Sequence, residues 1–323
     1  MFKRVLSTSS VKRILSLCSI FSLALLLPNA SFSAQSRRDL TVITSLFPLQ
    51  DFARIVGGER IKADLLLPPG AEPHTWEPKP SDVVKISRAD IFIYIGRPME
   101  PWVDVLLKSA KNDRLKVVEA IQGLPLLDAD YAEAEGTGHP QTHSSRGKLD
   151  PHVWLDFSYD LRIVDEIAGA FSEKNPANAP LFRSNAEVFK TRLSALDRKY
   201  RQLLSKCRHR QIILGGHSAF AYLAKRYNLQ QIALYGVSPN AEPTPKKLTA
   251  VIQAARNHGV KFIYFEGLVN PKLAEVLANE AGISTLVLND GANLTREQRK
   301  HKVTFLDLME GNLENLHKGL ECE

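Results

Sequence analysis

His74, His152 and His217 stand apart from the other six histidines of the chain. His74 lies in PPGAEPHTWEPKPSD (68–82), His152 in LDPHVWLD (149–156) and His217 in IILGGHSAF (212–220). Each occupies a turn-rich stretch beside a strand or helix end. Two acids share that placement: Glu266 follows the apolar run VKFIYF (260–265), and Asp290 follows STLVLN (284–289). A neutral imidazole binds a divalent cation through one ring nitrogen while a neighbouring acceptor holds the other. Three such nitrogens with one or two carboxylate oxygens form a donor set for a transition metal. That mixture favours zinc, whereas a carboxylate-richer set leans to manganese. The same three histidines would also suit a secreted zinc hydrolase, with an open fourth position and a general base near the metal-bound water. Glu266 is the strong candidate for that base, and no catalytic motif such as HExxH accompanies it.

The remaining histidines read differently. His209, His258, His301 and His317 sit among charged residues at helix positions or ends and read as solvated. His139 and His143 fall in DADYAEAEGTGHPQTHSSRGK (128–148), a stretch poor in apolar residues that reads as an exposed loop. They are either scavenging metal ligands or part of a flexible polar loop.

The spacings within the set are 78 and 65 residues, so no local chelate forms. Only a tertiary fold brings such ligands together. From residue 40 the chain alternates apolar runs with amphipathic stretches. LTVITSLF (40–47), IKADLLL (61–67), ADIFIYIG (89–96) and KVVEA (116–120) read as strands. PLQDFARIVGG (48–58) reads as a helix, and so does SDVVKISR (81–88), with Ser81 as N-cap. Later strands are RQIILGG (210–216), LQQIALY (229–235), VKFIYFEG (260–267) and STLVLND (284–290), with a helix opened by Thr244–Pro245 and a helical tail from about Thr295 to Leu320. Strands alternating with helices predict parallel sheets covered on both faces. In such sheets ligands bind beyond the carboxyl ends of the strands. The loop before His152 is stiffened by Pro151, and Asp150 or Asp156 is placed to orient the ring; Asp156 serves equally as a helix N-cap.

One segment is longer than a small domain requires. Phe182, Ala186, Phe189, Leu193, Leu196, Tyr200 and Leu203 recur at alternating steps of four and three, which predicts a single helix over about 177–206. The fold class is therefore α/β: two parallel-sheet lobes, 34–176 and 209–323, joined by one long rigid helix over 177–208.

Five stretches resemble one known family. They are LLPPGAEPHTWEPKPSDV (66–83), DPHVWLD (150–156), GGHSAFAYLAKRY (215–227), GVSPNAEPTPKKL (236–248) and STLVLNDGANLT (284–295). Together they resemble the metal-specific solute-binding proteins of bacterial ABC importers, which carry zinc or manganese and include the ZnuA-like zinc binders. The resemblance implies two α/β lobes joined by a long helix, a metal between them, and His74, His152 and His217 as ligands. Histidine at the third position resembles the zinc side of the family. A fourth ligand near the last strand falls on Asp290, or the aligned place is taken by Asn289. Glu266 matches a family carboxylate that reads rather as a supporting acid. The loop 128–148 lies where zinc-type members carry a histidine-rich insertion. The partner so implied is an inner-membrane ABC permease. A monomer is expected.

The chain begins with Lys3, Arg4, Lys12 and Arg13, then the apolar ILSLCSIFSLALLL (14–27), then Pro28 and small residues. That pattern reads as a cleavable signal peptide over 1–33 and hence a periplasmic protein. Bulky Leu17 before Cys18 argues against a lipid anchor. Removing the signal lowers the net charge from +7 to +3. So small a surplus, with no basic run interleaved with aromatics, excludes a nucleic-acid partner. Cys207 and Cys322 then remain, either as a pair or as separate thiols.

Overall fold

The computed structural model describes residues 39–129, 149–238, 244–268 and 271–323, together with Met1. All but Met1 of the signal peptide read over 1–33, and all but the base of the loop with His139 and His143, lie outside the described residues.

The first lobe carries strands β1 (Leu40–Thr44), β2 (Ile61–Leu65), β3 (Ile91–Tyr94) and β4 (Lys116–Glu119), all parallel in the order β2-β1-β3-β4. Its helices are α1 (Phe47–Gly57), α2 (Pro80–Arg88) and α3 (Val103–Ala110). Strand side chains alternate between faces, and each face of the sheet is apolar. Val42, Ile91 and Ile93 face a core shared with α1, while Ile43, Phe92 and Tyr94 face Ile86 of α2 and Val103 and Leu106 of α3. Ser81 does not cap α2. The helix starts one residue earlier, and Asp82 does the capping by accepting the Lys79 backbone N–H at 2.9 Å.

Two long helices follow, α4 (Phe157–Lys174) and α5 (Ala179–Leu203). α5 is the helix foreseen from the four-and-three repeat. Phe182, Ala186, Phe189, Leu193, Leu196 and Tyr200 are all buried on it, whereas Leu203 is only partly covered. α5 does not stand alone as a spar, because α4 packs along it.

The second lobe repeats the topology. β5 (Gln211–Leu214), β6 (Gln230–Ala233), β7 (Phe262–Phe265) and β8 (Ser284–Val287) are parallel in the order β6-β5-β7-β8. The helices are α6 (Ala221–Arg226), α7 (Pro245–His258), α8 (Lys272–Ala281), α9 (Arg296–Lys300) and α10 (Phe305–Gly319). Thr244 caps α7 as expected, its hydroxyl accepting the Lys247 N–H at 3.3 Å. The tail is two helices rather than one. Lys302 adopts a left-handed φ of 55° between them, and Thr304 opens α10 as a new N-cap.

The outer face of the second sheet, Ile213 and Ile263, packs under α7 and α8. Its inner face, Ile212, Leu214 and Tyr264, joins the core that contains α1, α4 and α5. One apolar core thus runs through both lobes. Polar ties cross the same boundary: the Phe305 N–H donates to Asp51 Oδ2 at 2.9 Å, and Arg226 of α6 pairs with Asp156 and Asp197, each at 2.7 Å. Cys207 and Cys322 form a disulfide across 115 residues of sequence, clasping the two ends of the second lobe. Among the described residues, no helix is long and apolar enough to cross a membrane.

Candidate metal centre

The strand order reverses direction between β1 and β3 in one lobe and between β5 and β7 in the other. Crevices at such points receive ligands. His217 lies in the turn after β5, and Glu266 follows β7 directly. His74 lies in the turn after β2, and His152 precedes a single 3-10 turn, Val153–Leu155, that leads into α4. The two lobes therefore face each other with histidines at the meeting point.

The three rings converge. The Nε2 atom of His152 lies 3.2 Å from Nε2 of His74 and 3.2 Å from Nε2 of His217. The ring centroids stand 5.1, 5.1 and 5.3 Å apart. His152 and His217 are buried, and His74 is half-buried on the solvent side. Residues 78 and 65 positions apart thus share one point in space.

The buried rings are held from behind. His152 donates its Nδ1–H to Asp150 Oδ1 at 2.8 Å, and the same oxygen takes its backbone N–H at 2.9 Å. Of the two aspartates that could orient this ring, Asp150 does so. Asp156 is the N-cap of α4, accepting the Ser158 N–H at 2.8 Å. His217 is held by Glu266 in the same manner. Gly216 makes that approach possible, since a Cβ there would collide with the Glu266 carboxylate. With Nδ1–H committed to a carboxylate, each neutral ring turns the lone pair of Nε2 inward. Lone pairs crowded at this distance repel unless a cation sits among them.

Titration follows the same logic. Burial and the neighbouring imidazoles lower His74 to about 2 and push His152 well below its ordinary value. Burial also works against a charge on His217. There the charge and hydrogen bond of Glu266, with Asp290 and Glu72 behind it, prevail and raise it to about 9. Without a cation among the rings, His217 is therefore the one that would take up an extra proton, on Nε2 in place of the lone pair, and offer it to His152.

Asp290 and Glu266 each place an oxygen within 4.8 Å of a His217 nitrogen and of each other. Burial, then the charge of Glu266, raises Asp290 to about 7. The carbonyl of Asp290 accepts the Trp154 indole N–H at 2.6 Å, which ties this turn to the His152 loop. Asn289 is occupied otherwise: its side-chain oxygen accepts the Gly291 N–H at 2.7 Å. Of the two positions left open by the sequence, Asp290 is the one that stands beside His217.

Glu72 was not foreseen. Its Oε1 accepts the His74 backbone N–H at 3.0 Å, and its charge is felt by His217 and Asp290. Its position two residues before His74, in a turn bracketed by prolines, is the signal that could have found it.

A model of the family "ZnuA: Zinc-uptake complex component A periplasmic" matches residues 42–319. The chain belongs to the ZnuA family. Among ZnuA relatives, it is 34% identical over 289 residues to the high-affinity zinc uptake system protein ZnuA of Bacillus subtilis strain 168, covering 89% of this chain and 90% of that one. It is 33% identical to the zinc-binding lipoprotein AdcA of Streptococcus pneumoniae, covering 95% of this chain but 60% of that protein's length. The crystal structure of the Zn(II)-bound ZnuA-like domain of that AdcA superposes with a TM-score of 0.73 at 32% identity, covering 88% of this chain and 99% of the domain.

Proposed function

We propose that this chain is a periplasmic zinc-binding protein that captures Zn²⁺ and delivers it to an ABC-type importer. The observation that carries this reading is the meeting of three Nε2 atoms around one point, two of them aimed there by carboxylates. His74, His152 and His217 are the ligands in this reading. Asp290 is the fourth donor, and Glu266, Asp150 and Glu72 are positioning acids. Three nitrogens with one oxygen suit zinc over manganese, and the relatives named above are zinc proteins. His74, half-buried and without a carboxylate behind its ring among the described residues, is the ligand through which the ion enters and leaves.

Hydrolysis fits the site poorly. Both oxygens of Glu266 are taken by His217, at 2.8 and 2.7 Å, so it is not free to serve as a base. Export through a signal peptide over 1–33, a monomeric state, docking on an inner-membrane permease and the division into lobes 34–176 and 209–323 around a linking helix 177–208 complete the reading. The test is metal analysis of untagged protein beside His152→Ala. About one zinc per chain is expected in the parent and none in the variant. Parent protein that prefers Mn²⁺ to Zn²⁺ in competition at one pH, or a variant that keeps its zinc, defeats the reading.

A further inference from the structure

A second cleft, of about 560 Å³, lies away from the histidines, along the free edge of β2. Arg54 of α1 lines it from the first lobe, and Arg299 of α9 and Lys302 of the turn after α9 line it from the second. All three are exposed, and none of their side chains makes an ion pair or hydrogen bond among the described residues. Two other exposed cations do have direct partners, Arg97 in Asp104 and Lys261 in Glu321.

The acids nearby offset this wall only in part. Asp51 lies at the back of the cleft, buried, with Oδ2 taken by the Phe305 N–H. Burial raises its pKa while the charge of Arg54 works to lower it, so Asp51 offsets part of the Arg54 charge without a direct ion pair. Asp307 is engaged by the backbone N–H and the hydroxyl of Thr304, at 2.8 and 2.7 Å. The turn that carries Lys302 is itself costly. A left-handed φ of 55° is disfavoured for a residue with a Cβ, and glycine would relieve it.

We propose that this cleft binds a small polyanion bearing two or more carboxylate or phosphate groups. Guanidinium groups grip such oxyanions in bidentate fashion, and the ammonium adds a point charge. The volume suits a small molecule, since ligand pockets run to about 300–1,000 Å³. The cations come from both lobes, so the bound anion bridges them. The site is independent of the metal reading. The same oxyanion chemistry is offered by a free solute or by the headgroup of an anionic lipid.

The full chain, as purified, is titrated by calorimetry with tricarballylate, a tricarboxylate without a chelating hydroxyl. In parallel it is floated with vesicles of phosphatidylglycerol in phosphatidylcholine. Arg299→Ala/Lys302→Gly removes two charges while keeping the turn. It should weaken binding by about tenfold or more, given the strength of charge-assisted hydrogen bonds. Lys108→Ala/Lys199→Ala, on exposed helix positions elsewhere, should leave it unchanged, and every variant should keep the parent's metal content. Vesicle binding without tricarballylate binding, lost in the same variant, assigns the cleft to a lipid headgroup. Binding of neither probe, or equal binding by the Arg299/Lys302 variant, overturns the proposal.

Discussion

Glu266 grips His217 twice: Oε2 takes the ring Nδ1–H at 2.7 Å, and Oε1 takes the backbone N–H at 2.8 Å. The carboxylate thus fixes both the place of the residue and the direction of its ring. Glutamine cannot do this, because its amide NH₂ would face one of the two donors. Glu266→Gln should therefore keep about one zinc per chain but bind it roughly 10–100-fold more weakly, the usual cost of losing the partner behind a ligand. Competition with a chromogenic chelator measures this. Unchanged affinity would remove Glu266 from the site.

Proton linkage gives a second prediction. His217 is raised from 6.5 to about 9 in the metal-free fold. A raised histidine contributes stability that is complete below 6.5 and lost as pH climbs through 9. Metal-free protein should thus melt at lower temperature across that window. Zinc must displace the same proton, so its apparent affinity should rise by up to about tenfold per pH unit until pH 9. Calorimetry in two buffers of different ionisation enthalpy should find between one and two protons released per zinc at pH 7, one from His217 and part of one from Asp290, which is raised to about 7. Release of none contradicts the protonated pair.

The three histidines are not equivalent. His152 and His217 are buried and backed by carboxylates, whereas His74 is half-buried and held through its backbone by Glu72. His74→Ala should leave two aimed rings and the Asp290 carboxylate, hence weakened but measurable binding with fast release. His152→Ala should remove the nitrogen that stands between the other two. Stopped-flow transfer of zinc to a chelator separates these outcomes. Equal loss in both variants argues against His74 as the ion's door.

How much of this was legible beforehand depends on the physics of each signal. The long helix was legible because its apolar stripe repeats over many turns; the start of α4 was legible too, through Asp156 as its cap, but its packing along α5 was not, since that contact belongs to the tertiary fold. Ser81 misled because a capping residue type was read without the geometry that lets Asp82 reach the Lys79 N–H. The tail read as one helix because no glycine or proline marks the break at Lys302. His74, His152 and His217 were legible as a set from their turn contexts. Their convergence to 3.2 Å was not, because distances between residues this far apart in sequence belong to the fold. Asp150 and Asp156 could not be separated until the ring's own hydrogen bond was visible.

The Cys207–Cys322 bond encloses nearly all of the second lobe. Cross-linking a loop of that size removes chain entropy from the unfolded state, by about 4–5 kcal/mol in the entropic model and typically 2–4 in practice. Cys207→Ser/Cys322→Ser should therefore lower the midpoint of urea unfolding by a corresponding amount while keeping zinc stoichiometry at one. A variant as stable as the parent would show that the clasp adds nothing.

The shared core sets how far the lobes can move. Ile212, Leu214 and Tyr264 of the second sheet pack into the same apolar cluster as Phe52 and Phe189 of the first lobe and linking helix. A wide hinge opening would expose that cluster at roughly 25 cal/mol for each Å². The Arg226 pairs with Asp156 and Asp197 would have to part as well. Zinc capture should then proceed by adjustment of the His74 turn, which sits at the solvent side of the site. Small-angle scattering should give a radius of gyration near ~19 Å both without and with zinc, with overlapping curves. Hydrogen exchange should instead slow around residues 68–79 on zinc binding. A scattering change of several ångströms would mean that the core between the lobes opens after all.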